Sequence, residues 1–329
     1  MLCTSLKLQV LDLSVCIQAR VIQRALLLPL VCALLAAAAQ PDSSQGAVRA
    51  EMRNVMYHYT EPIAVHIAYL KGELRPTQQG GMPVFDDADS FSLSIQSARI
   101  SITMDALANV LNQYAFVAAD SPIKAVRITA NDNKLKIKGR LHSKGDLPFE
   151  SEGSLSVTPE GEIRVHTEKL KAGHLPVKGL MDLLGQSIAK LIDTRKVSGL
   201  RADKDDLLLD PSELFPPPHI HGHLRSITVV GNEVVQEYGA PVAPSVKAPG
   251  NYMAYHGAQL RFGKLTMTDT DLVLIDMDPQ DPFDFYLARY RDQLVAGYTK
   301  TTPSFGLRCY FRDYNKLTQN RKPTQAPSH

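Results

Sequence analysis

The sequence predicts an α+β fold: a strongly twisted antiparallel sheet wrapped around one or two long amphipathic helices, with a strand-rich C-terminal extension. Three observations predict it. From Val48 to Tyr238, apolar residues recur at every second position in short runs, the period of a half-buried strand. Two segments, about 103–114 and 180–192, carry apolar residues at helical spacing instead. A further block of alternation follows the proline-rich stretch "PVAPSVKAPG".

The chain opens on a segment of a different kind. Arg20 and Arg24 precede an apolar run from Ala25 to Ala39, which ends in small residues before a polar stretch. That is the plan of a secretory signal peptide, residues 1–39, and the run is shorter than the ~20 residues that span a bilayer. An uncleaved N-terminal anchor is the competing reading. Cys3, Cys16 and Cys32 fall in this segment, so only Cys309 remains beyond it and no internal disulfide can form there. The sequence thus predicts an exported protein, periplasmic or envelope-associated, held together by its core.

A polar tether, 40–47, leads into the main domain, 48–239. "IAVHIAYL" places Ile63, Val65, Ile67 and Tyr69 on one strand face. "FSLSIQSARISI" changes phase from Phe91, Leu93 and Ile95 to Ala98, Ile100 and Ile102, which predicts a bulge. Thr103 can cap a helix with Asp105 in its first turn, and Leu107, Val110, Leu111 and Tyr114 form its apolar stripe. "IKAVRITA" and "KLKIKGRLH" pair across Asn131-Asp132-Asn133. Leu135, Ile137 and Leu141 lie on one side there; Lys134, Lys136, Lys138 and Arg140 face the other, a solvated face or an anionic-surface contact. "FESEGSLSV" and "EIRVHT" make the next hairpin. A second helix, about 180–192, carries Leu180, Leu184, Ile188 and Leu191, and the hairpin "VVGNEVVQEY" turns at Gly231-Asn232. A linker, 240–250, a strand-rich extension, 251–315, and a disordered tail, 316–329, complete the chain.

Several function classes find no support. With 44% hydrophobic and 21% charged residues and a net charge of +2, the composition is globular and carries no field suited to nucleic acid. No G-x-S-x-G elbow, P-loop, G-x-G-x-x-G or H-E-x-x-H occurs, so no enzyme activity and no cofactor are predicted. His219, His221 and His223 share one face of a strand and are weak metal candidates. The outer pair would stand about 13 Å apart, too far to close around one tetrahedral ion. A polar strand face is the simpler reading, with a pH-sensitive patch as the other alternative. The acidic run Asp269, Asp271, Asp276, Asp278, Asp281 and Asp284 lacks the spacing of a calcium loop and reads as turn caps.

Four stretches taken together resemble the tubular lipid-binding (TULIP) superfamily, in particular its small exported bacterial single-domain members. They are "ISITMDALANVLNQY", "LKIKGRLH", "GLMDLLGQSIAKLI" and "DDLLLDPSELFPPPHIHGHLRSITVVGNEVVQEYG", within about residues 90–239. The resemblance implies an apolar channel for acyl chains between sheet and helix, with no catalytic motif. Leu107, Val110, Leu111, Tyr114, Leu180, Leu184 and Ile188 are then the expected lining, although the same periodicity fits a filled core. The expected function is to bind or carry a lipid or other apolar small molecule. The expected further partners are a membrane surface or an envelope protein. The alternative is a non-enzymatic interaction module with a filled core and no ligand.

Overall fold

The computed structural model describes residues 46–142, 146–172, 175–176, 197–214, 217–244 and 250–319. They belong to one compact unit, Gly46–His329. Residues 1–45 with the predicted signal peptide, the second predicted helix with Leu180, Leu184 and Ile188, and the chain end beyond residue 319 lie outside the described residues.

Three long strands are the frame: β1 (Val48–Thr60), β2 (Ile63–Pro76) and β3 (Phe91–Thr103). A short helix, α1 (Met104–Val110), leads into β4 (Ile123–Asn131), β5 (Lys134–Leu141), β6 (Leu147–Val157), β7 (Ile163–Ala172) and the two-residue β8 (Leu175–Pro176). After β9 (Leu200–Asp203), β10 (Asp206–Leu209) and one turn of helix, α2 (Pro211–Leu214), the chain returns through β11 (Ile220–Gly222), β12 (Leu224–Val230) and β13 (Glu233–Tyr238). The C-terminal part comprises β14 (Tyr252–Gly257), β15 (Leu260–Phe262), β16 (Leu265–Met267), β17 (Thr270–Asp276) and β18 (Phe283–Tyr286). It ends with α3 (Tyr290–Val295), β19 (Tyr298–Thr301), β20 (Leu307–Phe311) and α4 (Tyr314–Gln319).

The larger sheet runs in the order β12-β13-β3-β2-β1-β14-β17-β20-β19, with β11 added to β3 and β18 to β1. The second runs β4-β5-β6-β7-β10-β9, with β8 on β7. Strands β14, β17, β18, β19 and β20 therefore continue the same sheet as β1, while β15 and β16 pair as a separate two-stranded sheet. The splice is local and has a cause. β1 pairs antiparallel with β14 over Val48–Arg53 and parallel with β18 over Val55–His58. Between these stretches Asn54 takes φ +49°, a left-handed conformation that Asn tolerates better than most residues. Its amide donates to Asn251 Oδ1 (2.9 Å), and its own oxygen meets His66 Nε2 at 2.9 Å, so the switch point is tied on both sides.

The phase change read at Ile95–Ala98 is a bulge. Lys71 pairs with Ser97 and Gly72 with Ile95, which leaves Gln96 unpaired and exposed. Gly72 is required there, because a Cβ would stand 2.4 Å from the Ser94 carbonyl oxygen. β2 flips phase as well, across Ile67/Tyr69, so that Leu70 and Leu74 are buried below Ile63 and Ile67.

The expected sheet wrapped around long amphipathic helices is overturned. Among the described residues 57% are strand and 14% helix, and the longest helix, α1, has seven residues. Thr103 does cap it, accepting from the Ala106 amide at 3.2 Å. The stripe through Leu107 to Tyr114 does not stay in one helix, however, since Leu111–Ala115 widen into a π turn. The reason is tertiary. Asn112 bonds both backbone groups of Val126, accepting from its amide (2.9 Å) and donating to its carbonyl (2.8 Å), at the bulge where β4 skips its β5 partners. A helix this short has little stability of its own, and such contacts decide its shape. Burial falls instead to sheet against sheet, with β12 against β6 and α1 against β2 and β4.

The C-terminal part packs with aromatics. Phe283, Phe285 and Phe311 are fully buried, and their rings meet at 5.7–6.0 Å. Phe85 is enclosed by Tyr255, Phe262, Phe285 and Tyr290. Each such side chain contributes about 1.5–3 kcal/mol on burial.

Candidate functional site: a two-chambered apolar cavity

The described residues leave two spaces in the core. Between the second sheet and the β12–β13 end of the first lies a chamber of about 110 Å³. Leu107, Leu111 and Phe116 cover it from the α1 segment. Its floor is the inward alternation of the second sheet: Val126 and Ile128 on β4, Leu135, Ile137 and Leu141 on β5, Phe149 on β6, and Ile163 and Val165 on β7. A second chamber of about 220 Å³ lies over β1, β2 and β3, under Phe85, Tyr255 and the prolines Pro211, Pro217 and Pro218. Ile102, Leu107 and Gln236 line both.

No ionisable acid, base or histidine is among the described residues lining either chamber. The polar groups are Ser151, Thr167 and Gln236 in the smaller one, and Gln236 with Tyr57, Tyr59, Tyr238 and Tyr255 in the larger. Burial pushes the Tyr238 phenol up to about 12 and raises those of Tyr57 and Tyr255, so these hydroxyls stay protonated at neutral pH. Tyr238 donates its hydroxyl to Gln236 Oε1 at 3.0 Å. Such a space solvates hydrocarbon and penalises charge. No general base stands beside Ser151 or Thr167 among the described lining residues, so neither has the partner an activated nucleophile needs.

Of the residues expected to line a channel, Leu107 faces both chambers, Val110 the larger and Leu111 the smaller. Tyr114 is half-buried against the core with its ring edge-on to Tyr59 at 6.0 Å, outside both linings. Most of the wall was not singled out from the sequence. The alternation of Leu135, Ile137 and Leu141 against the lysines of β5 was the available signal. Gln236 had one too: in "EVVQEY" it shares a phase with Val234 and Tyr238, a polar residue at an inward position.

The histidines lie elsewhere. His219, His221 and His223 are exposed; β11 is only three residues long, and His219 Nδ1 meets the Ser212 carbonyl at 2.8 Å. His221 and His223 border a polar hollow of about 190 Å³ with Glu160, Glu162 and Asp210, separated from the larger chamber by Pro211, Ile220 and Tyr238. Among the described residues no group of three or more His, Cys, Asp or Glu is placed to hold a metal. The acidic run serves local bonds. Asp271 takes Arg308 (2.9 Å), Asp276 takes Asn251 (2.8 Å) and the Asp278 amide (2.7 Å), and Asp284 takes the Asn315 amide (3.0 Å). The lysines of β5 are paired as well. Lys134 bonds Glu168, and Lys136 and Lys138 share Glu150, whose carboxyl their hydrogen bonds hold below the usual carboxylate range. No helix among the described residues is long and apolar enough to cross a membrane.

Fold and site together define a mostly-β protein with two neighbouring pockets whose described lining is mainly apolar and carries no charged side chain. No protein family, curated protein or solved structure matches the chain.

Proposed function

We propose that this protein binds a lipid or other apolar small molecule in the paired chambers and carries it as a non-enzymatic, exported envelope protein. The observation that supports this reading is a pair of chambers lined mainly by aliphatic and aromatic side chains, without a carboxylate, lysine, arginine or histidine among the described lining residues, and with Leu107 in the lining of both. Apolar cavities of about 150 Å³ stay dry and take up small apolar molecules, and each methylene moved out of water contributes about 0.8 kcal/mol. The resemblance to tubular lipid-binding proteins over residues 90–239 points to the same class of ligand.

The test is mass spectrometry of organic extracts from protein purified without detergent, beside a folded Leu107→Trp variant that adds bulk to the wall of both chambers. A lipid recovered near one per chain from the wild type and depleted in the variant is the expected result. A wild-type protein that carries nothing and takes up no added lipid would sink the reading. It would direct attention to Val295 and Phe305, 85% and 94% exposed, as contacts of an interaction module.

A further inference from the structure

We propose that the outer face of the second sheet docks on an anionic lipid surface. The strand register places its charges in three transverse rows. Lys124 on β4 stands opposite Arg140 on β5. Arg127, Lys138, Glu150 and Lys171 follow one another across β4, β5, β6 and β7, and Lys136, Glu152 and Lys169 form the third row. Strands lie about 4.8 Å apart and rows about 7 Å apart, so these cations share a patch about 14 Å on a side. Fewer acids face them. Glu150 takes Lys136 (2.9 Å) and Lys138 (3.2 Å), and Glu152 takes Lys169 (2.9 Å). Asp146, in the turn after β5, bonds His142 (2.9 Å), and its carbonyl accepts from Arg140 (3.3 Å). Arg127 and Lys171 are exposed and form no ion pair among the described residues. Positive charge is thus in excess on this face, in a chain whose net charge is only +2.

Solubility alone does not ask for this arrangement. A solvated face is served by interspersed signs, whereas Lys124 with Arg140 and Arg127 with Lys138 are like charges directly opposite one another, which costs stability. A polyanion lying on the face offsets that repulsion. The kind of polyanion follows from what the face lacks. The uncharged side chains in its rows are Thr129 and Pro148, with no aromatic and no long aliphatic group. It therefore offers neither the stacking platform of a single-stranded nucleic-acid site nor the apolar centre of a protein interface. Lysine and arginine side chains without such anchors suit phosphate headgroups that rearrange to meet them. The inner side of the same strands, through Val126, Ile128, Leu135, Ile137 and Phe149, lines the smaller chamber. The choice of a lipid surface over another polyanion rests on the apolar-ligand reading, because docking there brings the chamber to the phase that would supply its ligand.

Sedimentation of the full-length protein with phosphatidylcholine vesicles, and with vesicles in which about a third of the lipid is phosphatidylglycerol, tests this. At about 0.1 M salt the anionic vesicles should bind at least about tenfold more tightly, and about 0.5 M salt should remove the difference. Taking the difference cancels what the apolar run 25–39 contributes to both. Arg127→Gln with Lys171→Gln should weaken anionic binding by about fivefold per charge removed; either substitution alone serves if the pair does not fold. Lys264→Gln with Lys300→Gln, equal in charge but outside this sheet, should leave it unchanged. Equal losses in both pairs, no preference for anionic vesicles in wild type, or tighter binding to duplex DNA at the same salt overturns the docking. An apolar molecule recovered from a protein that shows no such preference sinks the docking alone. Docking that persists in a protein with empty chambers that takes up no added lipid sinks the apolar-ligand reading alone.

Discussion

Asp313 is fully buried, donates nothing, and holds two elements at once. One of its oxygens accepts from the Asp284 amide (3.0 Å) and the other from Lys316 (2.8 Å) on α4. Burial is the larger influence, ahead of the lysine, and raises its carboxyl from 3.8 to about 6, with Asp276 adding repulsion. The folded state therefore keeps a proton that the unfolded chain has released between about pH 4 and 6. Stability should fall as pH rises through that window, with the full penalty present above pH 6. Its size is about 3 kcal/mol. Asp313→Asn removes the titration while keeping an acceptor for the Asp284 amide. Urea denaturation at pH 4 and pH 7 should show the variant gaining on wild type by up to that amount; parallel pH profiles would refute it. The position was not legible in the sequence, where Asp313 is one acid among many, because only tertiary packing removes its water. Cys309 was legible as the one cysteine after Cys32; its complete burial, which pushes the thiol up to about 12, is again a product of the fold.

At the scale of elements, α1 shows where sequence periodicity stops being sufficient. Its cap, Thr103, could be read directly, because capping depends on residues three apart. Its length could not, because Asn112 is recruited by the β4 bulge fourteen residues away. Asn112→Ala would strand the amide and carbonyl of Val126 in a buried setting and should cost about 2–4 kcal/mol, read from chemical denaturation. A loss below 1 kcal/mol would mean that the bulge is satisfied in another way. The same distinction holds along the strands. The bulge in β3 was legible as a phase change in its own sequence, and so was the inward alternation of β5. The fork of β1 at Asn54 was not, because its two partners, β14 and β18, come from about 200 residues further along the chain.

For the whole molecule, an empty cavity and a filled one should differ in stability. A ligand that binds only the folded state contributes about 2.7 kcal/mol at a hundred times its Kd. The delipidated protein should therefore gain several degrees in Tm on loading with a small apolar molecule, and Leu107→Trp should gain less. Equal shifts in both would place the ligand outside the chambers that Leu107 lines. The larger sheet also predicts that the C-terminal strands cannot be removed. A chain ending at residue 250 would bare the Val48–Arg53 edge of β1, including the buried Val48 and Ala50, and should be recovered aggregated. A soluble, monomeric truncation with native-like circular dichroism would refute this. By itself, the sequence determined which strand faces are apolar and where turns and caps fall, since each follows from residues near one another. Only the tertiary structure decided that among the described residues strand faces, not long helices, cover one another, that two mainly apolar pockets remain between them, and that Gln236 lines both. Periodicity specifies the direction a side chain faces. What stands opposite it, and whether the space between is filled, depends on partners that meet only when distant strands are brought together.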